Sequence, residues 1–152
     1  MRAIPAESIR PLRPADRGAW QPLWDGYLRF YREELPAGTT DVAFERLATE
    51  AQGTFALVAE GEEEALRGFA HCVVHPSTWH VGPTVYLEDL FVGADARGTD
   101  LGRALIEGVC ARARELGAER VYWHTQQYNG RARSLYDGLA RLSSHVVYER
   151  EP

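Results

Sequence analysis

The sequence predicts a mixed α/β (α+β) fold around one central sheet, antiparallel in its first strands and continued by a β-α-β-α-β half. Three observations point there. The β-type runs Thr54 to Glu60 and Leu66 to His75 flank a short acidic turn and read as a hairpin. A third run, Val85 to Val92, passes through a glycine-containing loop into an amphipathic helix and then another strand, which is a crossover unit. Between and around these runs, apolar residues recur at helical spacing. With 152 residues the chain reads as a single domain spanning 1–152. A chain of this size buries roughly 70% of its unfolded surface, enough for a core without disulfide staples.

Taken in order, Ser8 to Leu12 reads as a short strand ended by Pro14. Asp16 is placed to cap a helix over Arg17 to Glu33, in which Trp20, Leu23, Trp24, Tyr27, Leu28 and Tyr31 fall at helical spacing. Pro36-Ala37-Gly38 breaks it. Thr40 or Asp41 starts a second helix to about Glu50, with Phe44 and Leu47 on one side. The hairpin turns at Gly61 to Glu64, whose acids form a solvated face. Pro76 to Pro83 is a loop holding Trp79 and His80, and Val85 to Val92 is the next strand. Leu101 to Leu116 forms a helix with the stripe Leu101, Leu105, Val109, Ala113 and Leu116, ended by Gly117. Arg120 to Thr125 is a strand, Asn129 caps a helix to about Ala140, and His145 to Glu149 is a final short strand.

Composition excludes several classes. The net charge of −5 lacks the basic footprint of a general nucleic-acid binder and suits a cationic small partner. No run approaches the ~18 apolar residues of a membrane span. The opening MRAIPAESIRPLRP has no apolar targeting core, so the expectation is a soluble, cytoplasmic protein. Cys72 and Cys110 lack zinc-type partners and read as reduced structural thiols. His71, His75, His80, His124 and His145 show no ligand spacing, so no metal is expected.

The chemistry concentrates between Val85 and Leu116. A strand–loop–helix junction turns free backbone N–H groups toward one spot, and the helix dipole adds positive potential. The stretch Arg97-Gly98-Thr99-Asp100-Leu101-Gly102, with Arg103, is thus a ready cradle for a phosphate or pyrophosphate. It is neither a P-loop nor a dinucleotide fingerprint, because Gly-Lys-Ser/Thr and Gly-x-Gly-x-x-Gly are absent. Taken alone it is a weak signal and more often only a tight turn. Glu88 and Asp89 lie a few residues upstream. Adjacent strand residues face opposite sides, so both serve one pocket only if a bulge re-aims one of them.

The loop at Arg97 and Gly102, followed by Asn129, Ala132 and Tyr136 in a later helix, resembles the GNAT superfamily of acyl-CoA-dependent N-acetyltransferases. That family's loop runs Arg/Gln-x-x-Gly-x-Gly/Ala and its helix Asn-x-x-Ala-x-x-x-Tyr. The order of elements from Ser8 to Glu149 fits as well. The features Gly68-Phe69-Ala70, Trp79 and Tyr86 to Val92 (YLEDLFV) resemble the spermidine/spermine and thialysine (diamine) acetyltransferase branch. The aromatic first helix and the ending LYD…VVYER are similar to a broader group of small-amine and D-amino-acid acetyltransferases. One departure stands out: the middle loop glycine of the family is Asp100 here. A carboxylate repels a pyrophosphate unless it turns to solvent, with Arg97 and Arg103 offsetting its charge.

The resemblance implies a GNAT-like sheet whose second half binds acetyl-CoA, the acyl donor and co-substrate. Arg97 to Arg103 would hold the pyrophosphate, and the strand at Leu90, Phe91 and Val92 the pantetheine arm. Asn129 and Ala132 belong to the same donor site. Glu88 is the candidate base, because an alkyl amine with pKa near ~10.4 must lose a proton before attacking a thioester. Tyr136 is the candidate acid for the departing thiolate. Trp24, Tyr27, Trp79, Glu88 and Asp89 are the substrate-binding candidates, the aromatic faces suiting a cation. Each has a plainer alternative: Glu88 solvated, Tyr136 a buried ring, Asn129 a simple cap, Trp24 and Tyr27 core residues. The reaction expected is direct transfer to a primary amine of a small molecule such as a polyamine or amino acid, since no Cys lies in the motifs. A protein or peptide acceptor, or a silent acyl-CoA sensor, stays open. The family also suggests a homodimer, with Val146 and Tyr148 on the terminal strand able to pair across an interface.

Overall fold

A computed structural model describes residues 8–152. Five strands form one sheet in the order β1-β2-β3-β4-β5: Ile9–Pro11, Thr54–Glu60, Leu66–His75, Thr84–Val92 and Arg120–Trp123. The first three pairings are antiparallel and β4–β5 is parallel. The crossover between β4 and β5 is made by α3 (Leu101–Glu115). Helices α1 (Arg17–Tyr31) and α2 (Thr39–Thr49) connect β1 to β2, and α4 (Gly130–Asp137) follows β5.

Two cores flank the sheet. On one face Trp20, Leu23 and Trp24 of α1 and Phe44 and Leu47 of α2 pack on Ala56, Val58 and Phe69. On the other, Leu101, Leu105, Ile106, Val109 and Ala113 of α3 cover Leu57, Ala70, Val85 and Leu87. The alternation of strand side chains thus sorts consecutive residues between two helical layers. The helix stripe is buried as expected except at its end. Leu116 is 38% exposed, and Ile106 takes a core position instead. Gly117, at φ +72°, turns the chain out of α3 in the left-handed conformation that glycine adopts freely.

Asp16 does not cap α1 with its side chain. Its carboxylate takes two 2.8 Å bonds from the Arg10 guanidinium and one from the Arg13 N–H. A bidentate charged donor outcompetes a helix N–H for the same oxygens, and the pair ties β1 to the start of α1. Helix α1 ends at Tyr31, β5 at Trp123 and α4 at Asp137, each short of its expected end. The terminal strand expected over His145 to Glu149 is not formed. Val146, Val147 and Tyr148 are 76%, 61% and 93% exposed. The segment has the residue types of a strand but no ladder partner and no face to bury.

Two irregularities open the sheet. Between β3 and β4, His71 pairs with Asp89 and Cys72 with Leu87, so Glu88 is left without a partner. This is a β-bulge, one extra residue on β4. The β4–β5 pairing ends at Leu87 and Trp123, while β4 runs on along β3 to Val92. Beyond that point β4 has main chain facing an unpaired side, immediately after the bulge.

Candidate active site

The bulge resolves the problem of the adjacent carboxylates. Glu88 sits on the extra residue and is exposed, while Asp89 returns to the ladder opposite His71. Although the residue is exposed, partial desolvation of its carboxyl, and then the charge of Asp89, push Glu88 above its ordinary range.

Asp89 is engaged by neighbours from two elements. Tyr27 OH of α1 donates to Oδ1 at 2.8 Å, and His71 Nδ1 of β3 lies 2.9 Å from Oδ2. Its side chain keeps 17% exposure. Trp20 Nε1–H donates to His71 Nε2 at 3.1 Å. Phe69 stacks on the imidazole at 4.1 Å and an interplanar angle of 10°. Burial first, then Asp89, raise the Tyr27 phenol far above its ordinary range, so it remains a donor.

Tyr136 lies on α4, its ring edge-on to Trp123, the last paired residue of β5, at 5.4 Å. Burial, followed by the nearby Tyr31 phenol, pushes Tyr136 up and keeps it protonated at neutral pH. Tyr31 in turn meets Tyr27 at 4.9 Å. The α1 aromatics therefore run from Asp89 toward Tyr136. Tyr31 and His71 were not singled out from the sequence. Tyr31 carried a signal, its i+4 spacing from Tyr27. His71 carried none that separates it from a core histidine, because its partner is set by strand register.

The strand–loop–helix junction has free donors. Leu101 N–H reaches Thr99 Oγ1 at 3.3 Å and Ala104 N–H bonds the Asp100 carbonyl at 2.9 Å. Gly102 and Arg103 occupy the next first-turn positions, whose N–H groups have no acceptor within a helix. The Asp100 side chain makes no capping bond; its main chain starts the helix. Gly98 adopts φ +80° with open space around it. A Cβ on Gly102 would meet Leu135 of α4 at 3.3 Å, so this glycine sets how closely α3 and α4 approach. Asn129 caps α4, accepting from Ala132 N–H at 3.3 Å.

The remaining candidates are distributed differently. Leu90 and Val92 pack toward α3, whereas Phe91 packs toward α1. Arg97 borders a cavity of about 690 Å³ between α1 and the end of β4, shared with Leu23, Gly26, Arg29 and Phe91. Trp24 is not brought to the opening: it is 7% exposed, stacked on Trp20 and Tyr27, and its Nε1–H is bound by Thr40. Trp79 stands in its loop at 93% exposure. Among the described residues, no group of three or more His, Cys, Asp or Glu side chains is arranged to hold a metal ion.

The sheet parts beside a bulged carboxylate, with a phenol on α4 against Trp123 and a helix N-terminus after β4. Residues 20–139 match the acetyltransferase (GNAT) family, and the chain belongs to that family as an N-acetyltransferase. It is 38% identical over 143 residues to the D-amino-acid N-acetyltransferase HPA3 of Saccharomyces cerevisiae, covering 93% of this chain and 89% of that protein. The fold is similar to ribosomal-protein-alanine N-acetyltransferase from Brucella melitensis biovar Abortus 2308. There the TM-score is 0.78 at 22% identity, over 94% of this chain and 97% of that one. It is also similar to AAC(6')-Iy in complex with a CoA-S-monomethyl-acetylneamine bisubstrate analog. That likeness has a TM-score of 0.81 at 18% identity, over 95% and 97% of the two chains. These last two establish the fold alone. The polyamine branch suggested by YLEDLFV is not what the 38% relative represents.

Proposed function

We propose that this N-acetyltransferase moves an acetyl group directly from acetyl-CoA to the primary amine of a small molecule, an amino acid before a polyamine. The observation that carries the reading is the placement of Glu88 and Tyr136. One lies on the bulge where β4 leaves β5, the other on α4 against Trp123, the last residue of β5 paired to β4. The amino-acid preference rests on the 38% likeness to a D-amino-acid N-acetyltransferase.

The residues present fit acetyl-CoA. Unpaired first-turn N–H groups at Gly102 and Arg103, with the Arg97 and Arg103 side chains, suit a pyrophosphate. The unpaired side of β4 beyond Leu87 suits an extended amide-bearing arm, with Leu90, Phe91 and Val92 offering main chain. The Asn129 side-chain amide lies at the start of α4, its Oδ1 taken by Ala132 N–H. Acetyl-CoA supplies an activated thioester.

The acceptor ammonium, with pKa near ~10.4, loses its proton to Glu88. The freed amine nitrogen attacks the thioester carbonyl carbon, and β4 N–H groups stabilise the charge developing on its oxygen. The attacking nitrogen sheds its second proton to water as the C–S bond breaks and the amide forms, while Tyr136 gives its phenolic proton to the thiolate and is reprotonated from solvent. Asp89 and Tyr27 flank the acceptor ammonium. The exposed Leu142, Val146, Val147 and Tyr148 support association of two copies through the C-terminal segment.

Calorimetric titration with acetyl-CoA, followed by free-thiol release with D-amino acids, L-amino acids, spermidine and thialysine, tests the function. Binding with turnover on a free amino acid supports it. Turnover only with a peptide or protein amine points to the macromolecular alternative. Binding without turnover on any acceptor leaves an acyl-CoA sensor.

A further inference from the structure

Among the described residues, His71 is the buried histidine whose contacts reach the catalytic strand, yet no step above uses it. At 2% exposure, with Phe69 stacked on it, it reaches solvent only through its partners. Indole nitrogen only donates, so the 3.1 Å bond from Trp20 makes Nε2 an acceptor. The proton of the neutral ring is then on Nδ1, where it donates to Asp89 Oδ2 at 2.9 Å. The other carboxylate oxygen takes the Tyr27 hydroxyl at 2.8 Å. Each Asp89 oxygen is thus held by one uncharged donor. Its remaining lone pairs and its full negative charge are left for the opening beside Glu88.

We propose that His71, locked by Trp20, is a positioning residue that holds Asp89 as a fixed counter-charge for the acceptor ammonium. The proposal rests on the acetyl-transfer reading of the same site. A carboxylate on a short, freely rotating arm would lose orientation when an amine binds. Two preformed bonds from rigid, packed rings remove that loss before the substrate arrives. A neutral imidazole serves better here than a cation, because an imidazolium would cancel the charge meant for the substrate. Trp20 supplies the tautomer, Phe69 the ring plane and Tyr27 the second bond, so α1 and β3 meet at one carboxylate of β4.

The test is a double-mutant cycle on the intact enzyme, using the best acceptor found among D-amino acids, L-amino acids and spermidine. Asp89→Asn and His71→Leu should each raise the acceptor KM roughly tenfold, about the worth of one hydrogen bond to a charged group. The KM for acetyl-CoA should stay unchanged. The double variant should be no worse than Asp89→Asn alone, because His71 acts through Asp89. His71→Asn, whose amide N–H can still donate to Asp89, should recover most of the loss and also guards against His71→Leu failing to fold. Additive losses, an unmoved acceptor KM, or no recovery in a folded His71→Asn would overturn the proposal. Wild-type enzyme that turns over no acceptor would instead overturn the transfer reading, and this inference with it.

Discussion

His71 Nδ1 lies 2.9 Å from Asp89 Oδ2, across the one point in the β3–β4 ladder where a residue has been squeezed out. That residue is Glu88. The bulge separates two neighbouring carboxylates into distinct environments, one anchored by buried rings and one free on the strand surface. The separate roles proposed for them require this separation.

The acid limb of kcat/KM should report Glu88. The base must be ionised, and its carboxyl titrates above the ordinary range because of burial and then Asp89. Activity therefore falls as pH drops through a value above ~4.3. Asp89→Asn removes the raising charge and should move that limb to lower pH. The other groups coupled to Asp89 are His71 and Cys72 on β3, Tyr27 and Tyr31 on α1, and Tyr86 on β4. Glu88→Gln should remove most activity. A pH–rate profile in which the Asp89→Asn limb moves upward would sink this assignment.

Tyr136→Phe keeps the ring against Trp123 and removes only the hydroxyl. Loss of about 10²–10⁴ in kcat is expected, with acetyl-CoA affinity retained. Steady-state kinetics beside calorimetry separate the two quantities. A variant that binds acetyl-CoA poorly but turns over normally would mean the hydroxyl holds the donor instead.

Asp100 places a carboxylate at the N-cap of α3, beside the proposed pyrophosphate site. Asp100→Asn should tighten acetyl-CoA binding a few-fold at low ionic strength, with the advantage fading as salt screens it. Weaker binding would show that the carboxylate is needed in the cradle.

Leu105 is fully buried between α3 and the sheet. Leu105→Ala should cost about 2–5 kcal/mol of stability by chemical denaturation. Leu116→Ala, at the exposed end of the same helix, should stay within about 0.5 kcal/mol. Similar losses for both would contradict the packing described.

If two copies associate through the C-terminal segment, Val146→Glu with Tyr148→Glu should convert a dimer to a monomer in sedimentation velocity. A monomeric wild-type protein at micromolar concentration would rule the association out.

The hairpin, the crossover and the strand–loop–helix junction were legible because each is local. Period-two and period-3.6 patterns and a glycine after the last helical residue need no knowledge of neighbours. The pairing of Glu88 and Asp89 on one strand was legible too, together with the condition that a bulge must separate them. Asp16 was read as a helix cap because its competitor, Arg10, lies on the preceding strand and reaches it only through the turn between β1 and α1. The final strand was read from its residue types, but a strand exists only where a ladder partner is present.

By itself the sequence determined the order of elements up to α4, the apolar stripes of α1 and α3, and the chemical identity of the cradle, base and acid candidates. These depend on spacing and side-chain chemistry along contiguous stretches. Only the tertiary structure decided that Trp24 belongs to the core, that Tyr31 stands near Tyr136, and that Asp89 is held by His71, Tyr27 and, through His71, Trp20. The hydrogen bonds among them join residues up to 62 positions apart. They are set by strand register and helix packing, where a shift of one residue sends every side chain to the opposite face.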